Sequence, residues 1–153
     1  MTLTELLKPE LIFPKIECSS KNELISKVIY RIYDTGRELP LPQEELLKII
    51  DIREHIGGTL LPSGLSIPHA RIKGFEDFIF ALATPLQPLF QGKQEIRLAA
   101  MMITSQSGGP WYLTTLAALT KISKDEKYFS HLCGAETPED FISILRERDL
   151  ELA

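Results

Sequence analysis

Two unbroken apolar runs, residues 78–83 (Phe-Ile-Phe-Ala-Leu-Ala) and 98–103 (Leu-Ala-Ala-Met-Met-Ile), constrain this chain more than any other feature. A strand with one wet face alternates apolar and polar residues, so a run without alternation is covered on both sides. Both runs therefore predict strands inside a sheet that carries helices on both faces. They are far too short to span a bilayer. The chain has 153 residues, of which 44% are hydrophobic and 25% charged, enough for one domain with a full core. The net charge of −4 argues against nucleic acid or an anionic membrane surface as the main partner. Cys18 and Cys133 are far apart and have no CxxC neighbour, which predicts inert thiols rather than a disulfide framework or a zinc site. The N-terminus lacks a basic segment followed by an apolar one, so no signal peptide is predicted and the expected location is the cytoplasm.

The remaining elements follow in order. A helical turn at 4–7 closes near Pro9. Residues 11–17 suit a strand that Pro14 makes either an edge strand or an interrupted one. Ser19 or Ser20 caps a helix whose apolar stripe is Leu24, Ile25, Val28, Ile29, Ile32 and Tyr33, with Gly36 as its stop. A second helix, buried through Leu46, Leu47, Ile49 and Ile50, runs to about Glu54. Residues 85–95 connect the two apolar runs, with a short strand at Leu89 and Phe90. Pro110 suits the first helical position, and Leu113, Leu116, Ala117 and Thr120 are spaced as one helix face. A short helix at 125–132 stops at Gly134, and Thr137 caps a last helix that buries Phe141, Ile142 and Leu145. The fold class is α/β: a single domain with a mixed sheet of four to five strands, near 12–17, 65–69, 78–83 and 97–103, and helices on both faces.

The chemistry concentrates in Gly64-Leu65-Ser66-Ile67-Pro68-His69-Ala70-Arg71. Leu65 to Ile67 can form a buried strand, and Pro68, without an N–H, ends its regular pairing. His69 then stands at a strand mouth, a rigid place from which a histidine can trade a proton or a phosphoryl group. Read alone, a histidine after a strand is more often structural or merely exposed. Upstream lie Arg53 at a helix end and a loop with glycines at 57, 58 and 64, which permit tight turns. The three histidines, 55, 69 and 131, are widely spread without a His-x-x-x-His pair, so no metal site is predicted.

Arg53-Glu54, the loop with Thr59, and the octet from Gly64 to Arg71 resemble the phosphotransferase-system (PTS) enzyme IIA domain of the fructose–mannitol class (type 2), which includes the nitrogen-regulatory IIA proteins. The opening Leu-Leu-Lys-Pro-Glu-Leu-Ile12, the segment 113–119 and the Thr-Pro-Glu-Asp-Phe141 ending sit where that family has similar stretches, so the likeness covers about residues 3–148 as one domain. It implies the type-2 IIA fold and a phosphohistidine carrier. His69 would accept a phosphoryl group from the phosphocarrier protein HPr, or its nitrogen-branch relative, and pass it to a IIB domain. Arg53 matches the family's active-site arginine, sixteen residues before the histidine. Thr59 would add a hydroxyl or a backbone N–H, and Arg71 a second cation or a plain surface charge. The family's second histidine aligns with Tyr112, whose phenol can donate one hydrogen bond but carries no positive charge. Trp111 and Tyr112 equally suit a partner contact or core packing. His55 and His131 match no active-site position. No small-molecule cofactor is implied, because the donor is a protein. With no fused IIB or IIC segment in the sequence, a regulatory role is the first expectation; a sugar-uptake IIA and a non-catalytic binding module are the alternatives.

Overall fold

In the computed structural model, which describes residues 1–149, 151 and 152, the chain runs through α1 (Leu3–Leu6), a 3-10 turn (Pro9–Leu11), β1 (Ile12–Ile16), α2 (Lys21–Asp34), α3 (Gln43–Gly57), β2 (Leu65–Ser66), β3 (His69–Ile72), β4 (Ile79–Pro85), β5 (Leu89–Gln91), β6 (Gln94–Ile96), β7 (Leu98–Ser105), α4 (Tyr112–Ser123), α5 (Glu126–Cys133) and α6 (Pro138–Arg146). The two apolar runs are the centres of β4 and β7, which pair antiparallel in the middle of a mixed five-stranded sheet. β1 lies parallel to β4 on one side, and β2 and β3 lie parallel to β7 on the other.

Alternate residues of the central strands feed two cores. Leu98, Ala100 and Met102 pack with Phe80 and Leu82 against α1, α4, α5 and α6. Ala99, Met101 and Ile103 pack with Ile79, Ala81 and Ala83 against α2 and α3. Helices thus cover both faces, which is why neither strand alternates in polarity.

The predicted strand at 65–69 is two short strands in line. Pro68 interrupts pairing without ending it: its carbonyl still accepts the Met102 N–H (3.0 Å), and the ladder resumes with His69 opposite Met102. Ile67 turns its own N–H to the Thr59 carbonyl (2.8 Å). On the far edge, β1 is both an edge strand and an interrupted one. Its register shifts between Phe13 and Ile16, Lys15 takes φ +57°, and the Lys15 N–H finds the Thr84 hydroxyl (2.9 Å). A left-handed non-glycine residue inside a bulge is strained.

The expectations for two helices, α3 and α4, are corrected. α3 runs to Gly57, one turn beyond Glu54, and buries only Leu46 and Ile50 fully. Leu47 is half-buried, and Ile49 faces outward with Ile52 and Ile56 as a second stripe at i, i+3 and i+7. α4 starts at Tyr112 rather than beside Pro110, and its inner face is Thr115, Ala118, Leu119, Ile122 and Ser123. The face with Leu113 and Ala117 is the outer one. Buried hydroxyls explain part of that rotation, because Ser123 Oγ donates to the Thr120 carbonyl and accepts from Ser63 Oγ (2.9 Å each). The expected strand at Leu89 pairs with an unexpected partner, β6, around Gly92.

Gly64 sets the approach to the octet. Its φ is +97°, and a Cβ there would lie 2.7 Å from Arg97 Cδ. Gly64→Ala is expected to cost about 1–3 kcal/mol, read as a lower Tm. The cysteines are free and half-buried. Burial pushes the Cys133 thiol up to about 12. Since the thiolate is the nucleophile, iodoacetamide near neutral pH is expected to spare Cys133 in the folded chain and to label it in urea, as mass spectrometry of the two samples checks.

Candidate functional site

The site forms where the last turn of α3 meets the outer edge of β3. Pro68 gives the chain its turn, and His69 follows it, buried with 7% exposure. His69 Nδ1 lies 3.0 Å from the Ile67 carbonyl oxygen. A carbonyl only accepts, so Nδ1 carries the proton and donates. The lone pair is therefore on Nε2, where it accepts a hydrogen bond from Arg53 Nε at 3.2 Å. Arg53 is exposed, and among the described residues its remaining N–H donors have no other acceptor.

Neither Arg53 nor Arg71 has a carboxylate partner among the described residues. Both line one cavity of about 360 Å³ with His69, whose apolar wall is Ile49, Ile52 and Ile56. In a chain of net charge −4, two unpaired guanidinium groups beside a histidine lone pair make a local anion site. Glu54, the other half of the Arg-Glu pair, turns away from it. Its carboxylate takes Lys21 Nζ at 2.5 Å, and Lys21 also donates to Gln91 Oε1 (3.1 Å). This nearly buried ion pair ties the last turn of α3 to α2 and to the β5–β6 hairpin. Gly58 lets the carboxylate lie there, since a Cβ would stand 2.4 Å from Glu54 Oε2. Lys21→Met strands the Glu54 charge and is expected to destabilise the fold by about 3 kcal/mol, measured by urea unfolding.

Of the residues singled out from sequence, His69, Arg53, Arg71 and Tyr112 come together. The Tyr112 and His69 ring centroids are 5.4 Å apart, and Arg71 Cζ lies 5.7 Å from the Tyr112 ring centroid. Thr59 is half-buried and reaches the motif through its main chain, as the acceptor for Ile67. His55 donates Nδ1–H to the Asp51 carbonyl (2.8 Å) on the exposed side of α3, and His131 sits on α5 in a different hollow beside Asp125 and Arg148. Sequence reasoning missed the apolar wall. Its signal was the spacing of Ile49, Ile52 and Ile56, a second stripe on a helix already credited with one. Among the described residues, no three His, Cys, Asp or Glu side chains group as a metal site, and no helix is long and apolar enough to cross a membrane.

Comparison with known proteins identifies the fold and the family. The family model "Phosphoenolpyruvate-dependent sugar phosphotransferase system, EIIA 2" matches residues 5–148. The PTS system 2-O-alpha-mannosyl-D-glycerate-specific EIIABC component of Escherichia coli K12 is 26% identical over 97% of this chain, which spans only 23% of that relative's length. The nitrogen regulatory protein of Bradyrhizobium diazoefficiens is 25% identical over 95% of each chain. Among solved structures, the nitrogen regulatory protein IIA-Ntr of Neisseria meningitidis superposes with a TM-score of 0.80 at 21% identity, covering 94% of this chain and 98% of the other. The IIA subunit in the complex of mannitol enzyme IIA with phosphorylated enzyme IIB from Escherichia coli gives 0.70 at 17%, covering 93% and 98%. The mixed sheet with helices on both faces is thus the type-2 IIA fold, and the chain belongs to the EIIA 2 family of the phosphoenolpyruvate-dependent sugar phosphotransferase system.

Proposed function

We propose that His69 is the phosphoryl acceptor of this IIA-type phosphocarrier and that Arg53 is the group that receives the charge. The observation that carries the reading is the fixed ring: Nδ1–H is held by the Ile67 carbonyl, and the Nε2 lone pair faces the Arg53 donor. In transfer, Nε2 attacks phosphorus, the Nε2–P bond forms, and the bond to the donor's nitrogen breaks, returning an electron pair to the donor. Nδ1 keeps its proton, so the phosphorylated ring is cationic and the Ile67 carbonyl accommodates that charge. Arg53 moves its N–H groups from Nε2 to the phosphoryl oxygens. Onward transfer reverses these steps and releases neutral imidazole. Thr59 supports the site by holding Ile67.

The donor in this reading is an HPr-like phosphocarrier protein, and the receiver is a IIB-type domain or a regulatory target. The IIA–IIB complex among the solved structures supports the receiver. The near full-length match to a nitrogen regulatory protein supports a regulatory role; the sugar-specific relative keeps carbohydrate uptake as the second reading. Ile52 and Ile56 are 59% and 76% exposed at the rim and suit an apolar contact with the arriving donor. Ile56→Asp is therefore expected to slow transfer about tenfold at limiting donor and to recover at saturating donor, with Tm unchanged.

The test is intact-mass spectrometry after incubation with phosphoenolpyruvate, the general PTS phosphotransferase and HPr or its nitrogen-branch relative. One added phosphoryl group, mapped to His69, is the expected result. No adduct, with the donors active on a control IIA, overturns the reading and leaves a binding module.

A further inference from the structure

His69 and Arg71 are alternate residues of β3, so their side chains leave the strand on the same side, about 6.6 Å apart along it. Arg71 is exposed, yet its guanidinium is not loose. One neighbour is the Tyr112 ring, with Arg71 Cζ 5.7 Å from the centroid. The other is the main chain at Gly108, where φ is +94° and an added Cβ would lie 3.7 Å from the same Cζ. The Tyr112 ring also leans on the His69 ring, at 5.4 Å and an interplanar angle of 47°. One aromatic ring therefore contacts both the histidine and Arg71, a cation with no carboxylate partner among the described residues.

We propose that Tyr112 is a positioning residue: its ring holds the Arg71 guanidinium beside His69, so that a phosphoryl group on Nε2 lies between two arginine forks, Arg53 from α3 and Arg71 from β3. The proposal rests on the reading of His69 as the acceptor. A phosphoryl group presents three strongly accepting oxygens at pH 7, and one guanidinium fork grips only two of them. The ring attracts the cation through its quadrupole and takes none of its hydrogen-bond donors, so all five remain for phosphoryl oxygens. The charge that the phenol itself lacks is supplied by the arginine stacked on it. The ring, not the hydroxyl, is the working part. Gly108 keeps the opposite side of the guanidinium clear.

The test is the equilibrium partition of the phosphoryl group between donor and chain. It is read by intact mass for the parent, Tyr112→Leu, Tyr112→Phe, Arg71→Met and the double variant Tyr112→Leu/Arg71→Met. Tyr112→Leu and Arg71→Met are each expected to shift the partition about fivefold toward the donor. The double variant is expected to match either single one, because both remove the same interaction. Tyr112→Phe, which keeps the ring, is expected to rescue the loss seen in Tyr112→Leu. A ring that merely packs would lower Tm and leave the effect of Arg71→Met intact. A parent-like partition in Tyr112→Leu, or single effects that multiply in the double variant, overturns the proposal. A second arm uses no partner: inorganic phosphate is titrated against the His69 ring signals by NMR. The parent is expected to saturate at about fivefold less phosphate than Tyr112→Leu or Arg71→Met; equal titrations overturn the clamp. If the parent takes up no phosphoryl group from the donor, the acceptor reading fails, and the phosphate arm decides this proposal by itself.

Discussion

His69→Ala is expected to take up no phosphoryl group at any donor concentration. Among the described residues the site holds no substitute nucleophile. His55 is engaged with its own helix, His131 lies on α5 in another hollow, and the Cys133 thiol is held protonated by burial. The buried ring also satisfies the Ile67 carbonyl, so its removal is expected to cost about 1–3 kcal/mol. That cost must be separated from lost chemistry. His69→Gln retains an amide donor for the carbonyl and has no nucleophilic nitrogen. A folded, unphosphorylated His69→Gln therefore assigns the loss to the imidazole. The measurement is intact mass beside circular dichroism on the same samples. An adduct of parent amount on either variant would move the acceptor elsewhere.

Arg53→Met is expected to slow transfer about 10²–10³-fold, the usual cost of removing one donor aimed at developing charge. Stability should stay within about 0.5 kcal/mol, since Arg53 is exposed and forms no ion pair among the described residues. Arg53→Lys should recover only part of the rate, because an ammonium supplies charge without the planar fork that grips two oxygens. Quenched-flow mass spectrometry over a range of donor concentrations separates the chemical step from docking. A parent rate in Arg53→Met would reduce the 3.2 Å contact to a resting-state ornament.

Much of this architecture was legible because burial on both faces leaves a direct trace. The runs at 78–83 and 98–103 have no polar partner positions, and both became central strands. Pro14 marked the disrupted edge for the same reason any missing N–H does. α4 was harder to read. Leu, Ala and Thr occur all round it, so spacing alone chose the wrong side, and buried Thr115 and Ser123 fill the inner face. α3 carries two apolar stripes; one serves the core and the other the site, and a single sequence does not label them. Arg53 and His69 were brought together by family resemblance rather than by periodicity, since their contact joins a helix end to an edge strand. The proton's position on His69 was beyond sequence, because it depends on the carbonyl that Pro68 turns back toward the ring.

The two prolines have a joint consequence. Pro14 breaks β1, Pro68 separates β2 from β3, and these strands are the two margins of the sheet. Neither margin presents a long, even row of main-chain donors and acceptors. Another chain cannot readily extend the sheet there by adding a strand, which guards against edge-to-edge aggregation. It also sets the terms of recognition: whatever meets the margin at His69 must read side chains and shape, not a backbone template. Contacts of that kind can form and dissolve quickly, as relay chemistry requires.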